Sequence, residues 1–278
     1  MKHPKTNSRR EFLKKSLLTT GSCIIMPAWT AQFTNAKESD SQLIDLHVHL
    51  TNKFSIKSAM EVAQQRNLKF GIVEHPGVSF GLKNDADLKN YITTLRSYPV
   101  YVGLQPTYRN WRRGFSAELL QQVDYILMDP QHVPQPDGSF LSIWEYNTHV
   151  PDTELFMKQY MDYSLDILNN EPINIFGWPL FLPVCIARDY YKLWTTERKQ
   201  QIITAAKAKN IAIEINEMAH VPDESFILLA KEQGLKFTLG TDARTKEGAG
   251  RLVYGPDVIK KCKLTPEDFY VPKRGTGI

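Results

Sequence analysis

Two histidines two residues apart, His47 and His49, stand near the end of the run Leu43-Ile44-Asp45-Leu46-His47-Val48-His49-Leu50. The run alternates as a half-buried strand does, with successive side chains pointing to opposite faces. Alternation places Ile44, Leu46 and Val48 on one face and Asp45, His47 and His49 on the other. Two neutral imidazoles on one face can converge on a single divalent cation at roughly 2.0–2.1 Å. Far along the chain, Asp242 ends the run 235–242 on the face of Thr238 and Gly240. With His47 and His49 it completes a three-ligand set. In 211–216 the isoleucines at 211, 213 and 215 share one face, and Glu214 and Asn216 share the other. A mid-strand carboxylate pointing inward needs a cationic or hydrogen-bonding partner there.

Other side chains extend this set. His75 and His132 each follow an apolar run, which assigns them to the same site as further ligands or proton-transfer groups. His149 and His220 read as surface loop residues. Arg109, Arg112 and Arg113 follow the third apolar run, and Arg188 lies in the loop after Trp178. Together with Arg244 they suggest an anion-binding rim with aromatic walls. Arg112 and Arg113 read more simply as a solvated basic loop, whereas Arg244 shares the face of Asp242. Gln105 and Trp178, at the ends of their own runs, complete the residues expected to meet a substrate.

The elements that must position these groups follow a regular order. Apolar runs at 43–50, 69–75, 100–105, 125–129, 173–178, 211–216 and 235–242 read as strands. Between them, helical spacing predicts helices over 56–67, 85–98, 117–123, 152–169, 195–209 and 222–233, with a short one over 256–262. Ser116 is a candidate N-cap, and Gly234 stands where a helix C-terminus would end. The connection 132–151 is long, and long loops in compact domains tend to be functional. Strand–helix alternation from end to end predicts a parallel sheet with helices outside, in the TIM-barrel-like α/β class. Seven such units make a (β/α)7 barrel, one short of the standard eight. Inward residues at the C-terminal strand ends would then line the site.

At 278 residues the chain suits one barrel. A net charge of +4, partly carried by the N-terminus, is no argument for nucleic-acid binding. No apolar run in the mature chain reaches the 18 or so residues of a membrane span. Residues 1–37 read as a targeting segment. Ser8-Arg9-Arg10-Glu11-Phe12-Leu13-Lys14 matches the twin-arginine export pattern, an apolar stretch follows, and Thr34-Asn35-Ala36 is a candidate cleavage site. A lipidation box at Cys23 is the lesser reading, because Thr20 stands where an aliphatic residue is expected. The expected destination is the periplasm or cell envelope, with 38–278 as one domain. Three cysteines make neither a disulfide framework nor a zinc cluster, and whether Cys185 and Cys262 pair stays open.

The order and spacing of these motifs resemble the polymerase and histidinol phosphatase (PHP) superfamily of metal-dependent phosphoesterases. The carriers are Asp45-Leu46-His47-Val48-His49, Gly71-Ile72-Val73-Glu74-His75-Pro76, Val102-Gly103-Leu104-Gln105 and Tyr125 to His132, then Ile213 to Asn216 and Leu239 to Arg244. The resemblance implies a distorted seven-stranded β/α barrel, two or three divalent ions (zinc, manganese or iron), and hydrolysis of a phosphate ester by metal-activated water. Four positions depart from the pattern. Gln105 stands for a bridging glutamate, Trp178 for a histidine before a proline, Arg244 for a late histidine, and Ser55 for a histidine after His49. A neutral amide is a weak substitute for a carboxylate holding two cations together, and an arginine disfavours a neighbouring cation. The expectation is therefore one or two ions, most securely one on His47, His49 and Asp242, and a small anionic substrate. Two other readings are an amidohydrolase-type metal-dependent hydrolase and a non-catalytic ligand-binding barrel.

Overall fold

The computed structural model describes residues 42–275. The twin-arginine segment and Cys23 lie outside them. Seven strands close into a barrel in the order β1 (Ile44–Val48), β2 (Lys69–Glu74), β3 (Tyr101–Leu104), β4 (Tyr125–Met128), β7 (Ile175–Phe176), β8 (Ala212–Asn216) and β9 (Phe237–Gly240). Every pairing is parallel, and β9 returns to β1. The seven expected strand–helix units are the seven barrel strands. The connection 132–151 holds a feature that its composition concealed, an antiparallel hairpin of β5 (His132–Pro134) and β6 (Phe140–Ser142).

Helices α1 (Ile56–Arg66), α2 (Asp85–Arg96), α3 (Ala117–Leu120), α4 (Thr153–Asn170), α5 (Tyr190–Leu193), α6 (Thr196–Ala208), α7 (Glu224–Glu232) and α8 (Tyr254–Lys261) form the outer elements. Several begin on side-chain caps, which satisfy backbone N–H groups that have no partner in the first turn. Ser55, Asn84, Asp152 and Thr195 accept from the first turns of α1, α2, α4 and α6. Ser55, where the resemblance implied a ligand, thus starts a helix. Ser116 precedes α3 without a side-chain cap bond. Gly234 follows α7 at φ +80°, a conformation glycine adopts without strain.

The core has two parts. The larger lies between strands and helices and takes the outward strand residues, among them Phe70, Ile72, Ile213, Ile215, Phe237 and Leu239. The smaller fills the barrel, with Leu46, Val73, Tyr125, Leu127, Ile175 and Ala212 packed together. Tyr125 is fully buried and donates its hydroxyl to Leu46 O at 2.7 Å. A Cβ at Gly71 or Gly103 would collide with the Tyr125 side chain. These glycines let one large ring close the barrel interior, a burial of roughly 4 kcal/mol as an upper estimate.

β1 departs from the expected alternation. Asp45 aligns with Phe70 and Leu239, both outward residues, while Leu46 belongs to the inner cluster. The register shifts between Asp45 and Val48, and Val48 aligns with the outward Ile72. An irregularity of this kind puts two successive residues on one side. Leu46 and His47 both face inward, and Asp45 leaves the histidine face. This corrects the reading that grouped Asp45 with His47 and His49.

Candidate metal centre

His47, His49 and Asp242 are buried together at the C-terminal end of the barrel, with one potential ligand atom from each lying within 4.8 Å of the others. His47 Nε2 lies 3.3 Å and His49 Nε2 3.2 Å from the same oxygen, Asp242 Oδ1. Among the described residues neither nitrogen has a hydrogen-bond partner. Buried polar atoms are nearly always paired, so two orphaned imidazole nitrogens beside one carboxylate oxygen need an explanation. A divalent ion held between them would supply it. Two imidazoles and a carboxylate are donors that zinc, iron and manganese accept.

The remaining contacts orient this set. His47 Nδ1 meets Glu214 Oε1 at 2.6 Å, which in the neutral imidazole places the proton on Nδ1 and leaves Nε2 as an acceptor. Glu214 Oε2 accepts from Trp178 N at 2.8 Å and from Asn216 Nδ2 at 3.1 Å. The inward partner that Glu214 required is therefore His47. A Cβ at Gly240 would collide with Glu214 and His47, so the pair can cross β9 only over a glycine.

Asp242 is held from both sides. Asp45 accepts from Thr241 N, Thr241 Oγ1, Gly250 N and His47 N at 2.6–3.2 Å. His49 N donates to Ala243 O at 2.9 Å. Between these ties Asp242 takes a left-handed φ of 49°, unusual for a non-glycine residue and sustained by the surrounding bonds. Asp45 thus acts on the site through the loop it braces.

Electrostatics divide the two histidines. Burial is the largest influence on His47 and lowers its pKa, but Asp242, Glu214 and Asp129 together carry it up to about 9. Burial takes His49 down to about 3, with the His47 and Arg244 charges adding and Asp242 opposing. Burial alone would raise Asp242, yet His47, His49 and Arg244 hold it well below the usual carboxylate range. Without an ion, a proton on His47 and the Arg244 guanidinium together offset the Asp242 and Glu214 charges. Arg244 Nη1 lies 2.5 Å from Asp242 Oδ1, the oxygen that faces both histidines.

His75 joins this group through its ring. It stacks on His49 at 5.0 Å and 17°, and its Nδ1 faces Gln105 O at 3.0 Å. Burial lowers its pKa to about 4. Phe80, largely exposed, meets the ring of His75 edge-on at 5.4 Å, so a row of rings leads from the buried centre to solvent. Gln105 donates Nε2 to Asp129 Oδ2 at 2.7 Å, and among the described residues its Oε1 has no partner. Burial pushes Asp129 up to about 6, against the Gln105 bond and the His47 charge. Asp129 was not singled out in the sequence, although it ends an apolar strand just as Asp242 does.

The other expected site residues are placed differently. His132 opens the β5–β6 hairpin with its ring edge against Tyr108, and it is not part of the ligand group. Arg109 turns toward α4, with Nη1 2.9 Å from Asp166 and Nε 3.9 Å from Glu171. Arg188 is exposed beside Asp189. The Trp178 ring is buried edge-on against Phe181, and its link to the centre is the backbone N–H on Glu214. His220 stacks on Tyr254. Cys185, exposed, and Cys262, buried, are both free thiols.

No protein-family model matches the sequence. No curated protein is detectably similar to it. Among solved structures, a chain of an archaeal ribonuclease P with mature tRNA aligns over 81% of this chain and 90% of its own, at 13% identity and a TM-score of 0.39. An HpcH/HpaI aldolase from Desulfitobacterium hafniense DCB-2 aligns over 80% and 94%, at 12% identity and a TM-score of 0.34. Neither likeness bears on activity; the chain is a closed parallel α/β barrel with a buried His-His-Asp group that could hold a metal ion.

Proposed function

We propose that this chain is an exported metal-dependent hydrolase of the PHP type, a phosphoesterase with a reduced metal site. The observation that carries the reading is the pair of orphaned nitrogens, His47 Nε2 and His49 Nε2, beside Asp242 Oδ1. The resemblance in motif order supplies the reaction class, and the twin-arginine motif supplies the export. One ion suits the donors, because Gln105 offers an amide where a bridging carboxylate would be needed for a second.

A divalent ion bound there supplies Lewis acidity toward a phosphoryl oxygen and toward water. Glu214 fixes the His47 tautomer that would offer Nε2 to such an ion. His75, with Nδ1 donating to Gln105 O, presents Nε2 as a proton acceptor. Asp129, held near 6, is poised to take or return a proton close to neutral pH. Arg244 is nearly half exposed and keeps N–H groups free of Asp242 for a phosphoryl oxygen.

A second reading, a non-catalytic binding barrel, is favoured by one contact. Arg244 already engages the oxygen that the ion would use. The amidohydrolase-type reading lacks a free bridging carboxylate, since Glu214 is committed to His47. Elemental mass spectrometry of the exported protein decides between enzyme and binder. About one equivalent of a transition metal, lost in both His49→Ala and Asp242→Ala, with hydrolysis of p-nitrophenyl phosphate, supports the phosphoesterase. A metal-free protein indifferent to chelator refutes it.

A further inference from the structure

The loops leaving β2 and β3 line an open recess of about 200 Å³. It opens at the same end of the barrel as the histidine centre, for Pro76 in its wall directly follows His75. Three cationic residues line it, Lys83, Arg109 and Arg113, and among the described residues no acidic one does. Like charges gathered in a recess repel one another unless an anion or solvent compensates them. Arg109 is held from behind by Asp166 and Glu171. Among the described residues, the side chains of Lys83 and Arg113 have no acidic partner.

The recess is braced before any ligand arrives. Gly77 N donates to Leu82 O at 2.8 Å, closing the β2 loop on itself. Ser116 N donates to Asp85 Oδ1 at 2.7 Å, tying the β3 loop to the start of α2. Trp111, buried in the wall, anchors its Nε1 on Glu171 Oε2 at 3.2 Å. Rigid walls reduce the ordering cost of binding. The volume falls below the roughly 300–1,000 Å³ of pockets that hold whole drug-sized ligands. It suits one small charged group.

We infer that this recess is an anion-binding site in its own right, for a single phosphate or carboxylate group held by Lys83 and Arg113 against Tyr108 and Trp111. It does not depend on the metal reading. A substrate spanning both sites would carry two anionic groups.

The test is calorimetric titration of the full chain, stripped on a chelating resin, with inorganic phosphate and separately with succinate at low salt. Binding of either anion is expected, weakened about tenfold or more by Lys83→Ala and by Arg113→Ala, and unchanged in His49→Ala. Both cations are exposed, so the two variants should melt with the wild type, which separates lost binding from lost fold. Tighter phosphate binding assigns the site to phosphoryl groups, and tighter succinate binding to carboxylates. Binding of neither anion, or binding that only His49→Ala or Arg244→Ala abolishes, overturns the inference.

Discussion

Glu214→Gln is the sharpest test of how the barrel prepares the metal centre. Glu214 uses one oxygen on His47 Nδ1 and the other on Trp178 N and Asn216 Nδ2. A glutamine has one acceptor and one donor for the same contacts. If its oxygen stays on His47, its NH2 faces the Trp178 N–H and leaves that buried donor unsatisfied, at a cost of about 1–3 kcal/mol. If the amide turns over, the NH2 faces His47 Nδ1 and drives the proton to Nε2, where it blocks a ligand position. Either way, loss of an orienting carboxylate behind a ligating histidine weakens metal binding by about 10–100-fold, or roughly 1.4–2.8 kcal/mol. The assay is zinc titration of stripped protein with a competing chelator as buffer, at pH 7 and pH 9. In the metal-free protein His47 holds its proton up to about 9, partly because of Glu214. The variant loses some of that proton competition, so its deficit should be full at pH 9 and smaller at pH 7. Denaturant unfolding of the stripped variant should show the 1–3 kcal/mol loss separately. Wild-type zinc affinity at pH 9 in a folded variant would refute the orienting role.

His49 should make the metal-free protein acid-sensitive. Its folded pKa, about 3, lies below its unfolded value near 6.5, so the unfolded chain binds the proton and acid favours unfolding. Stability from this residue is full above pH 6.5 and falls by roughly 2 kcal/mol by pH 5. Denaturant midpoints at pH 7 and 5 should therefore diverge less in His49→Gln than in the wild type, and equal slopes would exclude the mechanism. Arg244→Ala removes a fixed charge from Asp242 Oδ1. Zinc affinity should rise by about five- to tenfold, roughly 1 kcal/mol at a partly solvated site, while KM for a phosphate ester rises; weaker zinc binding would contradict the competition. Inside the barrel, Gly103→Ala forces a methyl group into the Tyr125 ring and should cost about 1–3 kcal/mol in thermal or chemical unfolding. Tyr125→Phe loses only the bond to Leu46 O and should cost about 1 kcal/mol.

The sequence by itself determined the alternation of seven strands with helices, because each strand is bounded by helix caps and turn residues close to it in the chain. It also determined that Glu214 points inward from mid-strand and that Asp242 and the two histidines fall near strand ends, since side-chain direction in a regular strand repeats every two residues. That rule failed in β1, where pairing with β2 and β9 imposes an irregularity that local pattern does not encode. The hairpin inside 132–151 was concealed for a similar reason: its short strands gain their order from pairing with each other. Which groups meet was decided only in the tertiary structure. The bond between His47 and Glu214 spans 167 positions, and that between Asp45 and Thr241 spans 196. Contacts of that range depend on barrel closure, as do the pairing of Arg109 with α4 and the burial of the Trp178 ring.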